Sequence, residues 1–132
     1  MKYVLDTHML IWWVSDSGRL GKKAKHAVAS AAEGQPLVVS DISLWEITLL
    51  LQSKRIEISR PLRDWLDAAT APPLVEIHQI TAAIAADMLT VSRDIIRDPA
   101  DRCIIATARV LGATLVTADR IIVGSKLVHT VS

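Results

Sequence analysis

Short unbroken apolar runs alternate along this chain with longer stretches whose apolar positions recur at helical spacing. Tyr3-Val4-Leu5 is the first run, and it stops at Asp6, as a buried strand ending on a carboxylate would. From His8 to Val14 the chain is apolar again, includes Trp12 and Trp13, and is predicted to return across the sheet as a helix. Ser15-Asp16-Ser17-Gly18 is a turn cluster. Leu20 to Ala32 sets Lys22, Lys23 and Lys25 against Ala24, Ala27, Val28 and Ala31, the pattern of an amphipathic helix. Gly34-Gln35-Pro36 ends it, and Leu37-Val38-Val39 is a second strand. A helix is predicted from Leu44 to Gln52, a connector from Ser53 to Arg60, and another helix opened by Pro61 and carried through Trp65, Leu66 and Ala69.

Beyond Pro72-Pro73, Leu74 to Ile80 alternates apolar Val75, Ile77 and Ile80 with Glu76, His78 and Gln79, and reads as a short strand. Thr81 caps a helix running to about Val91. Asp98-Pro99 starts another, through Ile104, Ile105, Ala108 and Leu111, which Gly112 stops. Thr114 to Thr117 is a strand with Asp119 just past its end, and Leu127 to Thr130 is the last strand predicted. Strands alternating with helices predict βαβ units, hence an α/β fold whose parallel sheet is covered on both faces.

Composition adds three bounds. A length of 132 residues suits one domain with a real core. The hydrophobic content of 51% is high for a globular chain, which predicts apolar surface covered by a second copy or a partner. The single Cys103 excludes an internal disulfide and reads as a buried thiol in a reducing compartment. Only three residues separate Lys2 from Asp6, too few for a signal-peptide core, and no apolar run approaches the ~20 residues of a membrane span. A cytoplasmic protein without a membrane partner is expected. The net charge of +1 neither demands nor excludes nucleic acid.

Four acids stand out by position. Asp6 and Asp119 follow strands, while Glu46 and Asp101 fall in the first turns of predicted helices. Strand ends and the helix starts that follow them share one edge of a parallel sheet, so the four can meet in one crevice. Each alone has a plainer role. Asp6 could cap the next helix, Asp119 could form a turn beside Arg120, and Ser43-Leu44-Trp45-Glu46 fits a capping box. Asp98 before Pro99 is a good N-cap, with Asp101 three residues on. Yet Glu46 is the lone charge between Asp41 and Lys54. Four carboxylates at one edge would repel and raise one another's pKa values unless a cation neutralises them. All-oxygen ligands favour a hard ion, Mg²⁺ or Mn²⁺, whereas His8, His26, His78 and His129 are too scattered for zinc. His8 could line the crevice, although packing at the helix start is its ordinary role.

Carboxylates around such ions suit phosphodiester hydrolysis, in which the metal lowers the pKa of an attacking water and stabilises charge on the leaving oxygen. Setting the four acids aside leaves 10 acids against 15 Lys and Arg, a surplus of +5 outside the site. Arg93, Arg97, Arg102 and Arg120 lie near the acids in sequence and could guide a polyanion, though each also suits a solvated surface.

Val4-Leu5-Asp6-Thr7-His8, Ser40-Asp41-Ile42-Ser43-Leu44-Trp45-Glu46-Ile47, Asp98-Pro99-Ala100-Asp101-Arg102-Cys103 and Leu115-Val116-Thr117-Ala118-Asp119 together resemble the PIN-domain family. More narrowly they resemble the VapC-type ribonuclease toxins of bacterial toxin–antitoxin pairs, along essentially the whole chain. The resemblance implies one PIN domain over residues 1–132, a three-layer α/β/α fold with a short central parallel sheet. It implies a Mg²⁺- or Mn²⁺-dependent endoribonuclease that cuts RNA through a metal-activated water, a cognate antitoxin inserted into the active-site groove, and a homodimer. It assigns Asp6, Glu46, Asp101 and Asp119 as the catalytic metal-binding quartet, with Asp6 and Asp101 the principal ligands. Thr117 matches a hydroxyl position beside the last acid, and Asp98 is read as a helix cap or supporting acid rather than a ligand. Two rivals stand beside this. A phosphatase or nucleotide hydrolase would use Asp6 as nucleophile, but His8 stands where a second aspartate is usual. A non-catalytic binding module would use the acids only as caps and offer Trp12, Trp13 and Trp45 to a partner.

Overall fold

The computed structural model describes all of residues 1–132. Five strands form one parallel sheet: β1 Tyr3–Leu5, β2 Leu37–Ser40, β3 Val75–His78, β4 Thr114–Val116 and β5 Thr130–Val131, in the order β3-β2-β1-β4-β5. Seven α-helices connect them: α1 Thr7–Val14, α2 Lys22–Ala29, α3 Ile42–Gln52, α4 Leu62–Ala69, α5 Ala82–Met88, α6 Pro99–Leu111 and α7 Arg120–Ser125. The expected three-layer architecture is present. The chain builds outward from β1 to β2 and β3, then crosses back to β4 and β5 on the other side. The strand order therefore reverses between β1 and β4, and in open α/β sheets the crevice at such a switch point is where ligands bind.

Side-chain alternation along the strands divides the core in two. Leu5, Leu37, Val39 and Val116 face one way, against Met9, Leu10 and Ile11 of α1, Ala24 and Ala27 of α2, Ile47 of α3 and Trp65 of α4. Val4, Val38 and Leu115 face the other way, against Ile104, Ile105 and Ala108 of α6 and Ile122 of α7. Covering both faces removes the side chains of β2 and β4, and Val4 and Leu5 of β1, from water, which is why these strands read as unbroken apolar runs.

The helix ends follow the chemistry expected of them. Thr81 Oγ1 accepts the Ile84 N–H at 3.2 Å, Asp98 caps α6 with Pro99 at its first position, and Gly112 closes α6 at φ +62°. Elsewhere the structure departs from expectation. The stretch predicted as one helix from Leu20 to Ala32 is α2 followed by a 3-10 turn, Ser30–Glu33. The helix after Thr81 stops at Met88, not Val91. The last strand is Thr130–Val131 rather than Leu127 to Thr130, because Leu127 and Val128 pack against the α6 side of the core. Helix α7 had no sequence signal: Ile121, Ile122, Val123 and Gly124 are all poor helix formers, and the capping by Asp119 overrides them.

Leu115 lies fully buried in β4, between β1 and β5, whereas Leu89 is 90% exposed. Leu115→Ala is expected to destabilise the fold by about 2–5 kcal/mol in urea unfolding, and Leu89→Ala by less than about 0.5 kcal/mol.

Candidate active site

Asp6 is the first residue beyond β1 and the N-cap of α1, and only 6% of it is exposed. Both of its oxygens are engaged. Oδ1 accepts the Thr7 N–H at 2.8 Å, and Oδ2 accepts the Thr117 hydroxyl at 2.7 Å. Thr117 Oγ1 accepts the Asp119 N–H in turn, at 3.1 Å. One buried hydroxyl thus ties the end of β1 to the end of β4 across the switch point. Asp119 does not pair with Arg120; its Oδ1 caps α7, accepting the N–H groups of Ile121 at 2.9 Å and Ile122 at 3.2 Å.

Glu46 is not a capping-box acid. That role required Ser43 at the N-cap, but Asp41 holds the position, and Ser43 sits inside the first turn of α3 with its hydroxyl 2.8 Å from that of Thr7. Glu46 is left pointing across the sheet edge, with its Oε1 buried and without a hydrogen-bond partner. A buried polar atom without a partner is costly and calls for an explanation. From the opposite side, Asp98 caps α6 by accepting the Ala100 N–H at 2.9 Å, and Asp101 follows in the first turn. Carboxylate oxygens of Glu46, Asp98 and Asp101 all lie within 4.8 Å of one another.

These residues converge on a pocket of about 310 Å³ lined by Asp6, His8, Trp12, Glu46, Asp98, Asp101, Ala118 and Asp119. All four acids singled out in the sequence border it, and Thr117 lies behind them, fully buried. Asp98 is a cap, as its sequence context indicated, and also a wall of the pocket. His8 corrects the expectation of a packed histidine: it is exposed, lines the pocket, and has its ring centroid 6.2 Å from that of Trp12. Its place two residues after Asp6 was the available signal. Arg102 is held in place by its Nη1, which donates to the carbonyls of Ile96 at 2.9 Å and Arg97 at 3.0 Å. A larger hollow of about 400 Å³ between Trp12, Trp13, Leu20 and Val28 has Asp16 as its one acid.

Burial sets the electrostatics. It pushes the Asp6 carboxyl up, against the opposing hydrogen bonds from Thr117 and Thr7, and it pushes Glu46 up, against the opposing effect of the Thr7 hydroxyl and with the charges of Asp6 and Asp98 adding to the rise. Asp101 is raised to about 8, first by burial and then by the negative charges of Asp6, Asp98, Glu46 and Asp119. Asp101 therefore holds its proton more tightly in the folded chain than at its ordinary value of 3.8, and the fold loses stability as pH rises through that interval. Asp6 and Glu46 act in the same direction. In EDTA, the melting temperature of the wild type is expected to fall more steeply from pH 5 to pH 8 than that of Asp101→Asn, leaving the variant the more stable at pH 8. Parallel calorimetric pH profiles for the two proteins would contradict this electrostatic account.

The sequence matches the PIN domain model over residues 3–123. Ribonuclease VapC22 of Mycobacterium tuberculosis is 36% identical over 117 residues, spanning 89% of this chain and 86% of that protein. Among solved structures, VapBC2 from Rickettsia felis, bound to a DNA fragment from its promoter, superposes with a TM-score of 0.72 at 17% identity, covering 99% of this chain and 98% of that one. A toxin–antitoxin complex from Klebsiella pneumoniae gives 0.64 at 21% identity, covering 99% and 97%. At such identities these structures share the fold with this chain. Matched along nearly its whole length by the family model and by a relative at 36% identity, the chain belongs to the PIN-domain family.

Proposed function

We propose that this chain is a Mg²⁺- or Mn²⁺-dependent endoribonuclease, the toxin of a toxin–antitoxin pair, with residues 1–132 acting as one catalytic unit. The observation that carries the reading is the convergence of Asp6, Glu46, Asp101 and Asp119 on one pocket at the switch point of the sheet. Family membership and the identity to a ribonuclease support RNA as the substrate.

The residues present fit a hard divalent cation. The donors are all carboxylate oxygens, those of Glu46, Asp98 and Asp101 lie within 4.8 Å of one another, and the buried Glu46 Oε1 has no partner in the chain. Asp6, Glu46, Asp101 and Asp119 would hold the ion, with Asp98 at the rim. Once bound, it supplies Lewis-acid stabilisation of a phosphodiester and lowers the pKa of an attacking water. The chain's own part is positioning. Thr7 and Thr117 fix both oxygens of Asp6, so its carboxylate is oriented before any ligand arrives. His8 offers a ring N–H to a phosphate oxygen at the mouth of the pocket. Two further hollows share walls with this one and leave room for chain on either side of a scissile phosphate, which supports internal cleavage.

The rivals fare worse. A phosphatase with Asp6 as nucleophile would want a second aspartate two residues on, and His8 stands there, lining the pocket. A binding module would gain nothing from an unpartnered buried Glu46 oxygen. The Klebsiella structure is a toxin–antitoxin complex, which supports a cognate antitoxin as partner. Exposed Leu89 and Ile121, at 90% and 64%, support covering of apolar surface in a homodimer. No helix is long and apolar enough to cross a membrane, and the cytoplasm is the compartment this reading requires.

Asp6→Asn is expected to lower the cleavage rate of a fluorescent RNA about a hundredfold or more without loss of fold by circular dichroism. EDTA should abolish wild-type cleavage, and Mg²⁺ or Mn²⁺ should restore it. Wild-type rates in Asp6→Asn, or cleavage indifferent to EDTA, would sink the mechanism. Thr117→Val removes the hydroxyl while keeping the shape, so a rate reduced about 10- to 100-fold is expected, with the excess Mn²⁺ needed for half-activity increased.

A further inference from the structure

Trp45 is the most exposed of the tryptophans, at 51%, and it projects from α3 immediately before Glu46. Leu49, one turn on, is 41% exposed on the same face, while Ile47 and Leu50 turn into the core. Nothing within the chain occupies the indole: it has neither an aromatic neighbour nor a cation over its ring, whereas Trp12 has both, in His8 and Arg19. The ring lines a hollow of about 600 Å³ that also holds Leu49, Gln52 and Arg55 and shares Glu46 and Asp98 with the acid site. A group seated there is therefore one wall away from the catalytic carboxylates.

The geometry points to Trp45 as the stacking platform for an unpaired RNA base next to the scissile phosphate, with Arg55 reaching the following phosphate. This rests on the nuclease reading and adds to it two residues, Trp45 and Arg55, that hold the strand beside the cleavage site. Three features favour a nucleotide as the occupant. The hollow is continuous with the site of cleavage, so a nucleotide joined to the scissile phosphate can enter it without leaving the chain path. An exposed, unpaired indole beside a cationic guanidinium matches the two halves of a nucleotide, its aromatic base and its anionic phosphate. The lining also mixes apolar Trp45 and Leu49 with polar Gln52, Ser53 and Arg55 in a volume within the small-ligand range. A base can stack on an aromatic side chain only when it is splayed out of a helix, so a duplex should be rejected.

The test uses a fluorescein-labelled single-stranded RNA 12-mer of mixed sequence, the same RNA annealed to its complement, and full-length protein in Mg²⁺. Dissociation constants are measured by anisotropy in the Asp6→Asn background, and KM and kcat for cleavage in the otherwise wild-type protein. Trp45→Ala is expected to weaken single-strand binding and raise KM about tenfold with kcat little changed, and to erase the preference for single strand over duplex. Trp45→Phe should keep most of the affinity, a rescue that loss of packing alone would not show, and both variants should melt near the wild-type temperature. If the wild type cleaves RNA and Trp45→Ala does so with unchanged KM and unchanged strand preference, the platform is overturned and the nuclease reading stands. If Trp45→Ala loses only binding to an antitoxin protein, the hollow is a protein groove and the proposal falls. A wild type that neither binds nor cuts RNA overturns both readings.

Discussion

A carboxylate sits almost out of water at the reversal point of a parallel sheet, and the hydroxyl of Thr117 is what makes that tolerable. It donates to Asp6 Oδ2 at 2.7 Å and accepts from the Asp119 N–H at 3.1 Å, so it satisfies a buried acid and fixes the exit of β4 together. Desolvation still dominates, since Asp6 remains above the ordinary carboxylate range despite the bonds from Thr117 and Thr7. The structure then adds Glu46, Asp98, Asp101 and Asp119 around the same small pocket. Burial and mutual repulsion of Glu46 and Asp101 work against the apo fold, even though Asp98 and Asp119 cap the helices that they begin. Functional sites commonly trade stability in this way, because the geometry that suits a ligand is not the one that suits the empty protein.

What made the site legible was the rule that strand ends and helix starts share an edge. Asp6 and Asp119 could be placed by reading where an apolar run stops, and Asp98 and Asp101 by reading where Pro99 allows a helix to begin. The parallel sheet and its two-sided burial were equally legible, because Val4, Val38 and Leu115 are apolar neighbours of residues that face the other layer. Those features depend on local sequence and on the period of two.

The rest depends on neighbours distant in sequence. Ser43 looks like a cap, but Thr7, thirty-six residues earlier, captures its hydroxyl, and the helix starts at Ile42 instead. That shift places Ser43 within the first turn and frees Glu46 from a capping role. No local pattern reveals it. His8 is similar: an apolar stretch around it suggested packing, yet its position on α1 turns it to the pocket, beside Trp12. Helix α7 was hidden because β-branched residues and Gly124 disfavour a helix, while its stabilising elements are the Asp119 cap and the burial of Ile122 against the α6 layer.

Asp98 connects these observations into a view of the surface. It borders the acid pocket, the hollow under Trp45 on one side and the hollow beside Ile95 and Ile121 on the other. The acids are consequently at the middle of a continuous depression and not at the bottom of a closed cavity. A small phosphate ester would leave most of that depression in water, whereas a polymer would cover it on both sides of the reacting bond. The side walls differ: an indole and a guanidinium on the α3 side, apolar Ile95 and Ile121 with Arg97 on the α7 side. Such asymmetry gives a bound strand a direction, since its two flanks meet different chemistry. The carboxylate centre can be built from rules common to parallel sheets, but any choice among strands that bind it would come from these flanks.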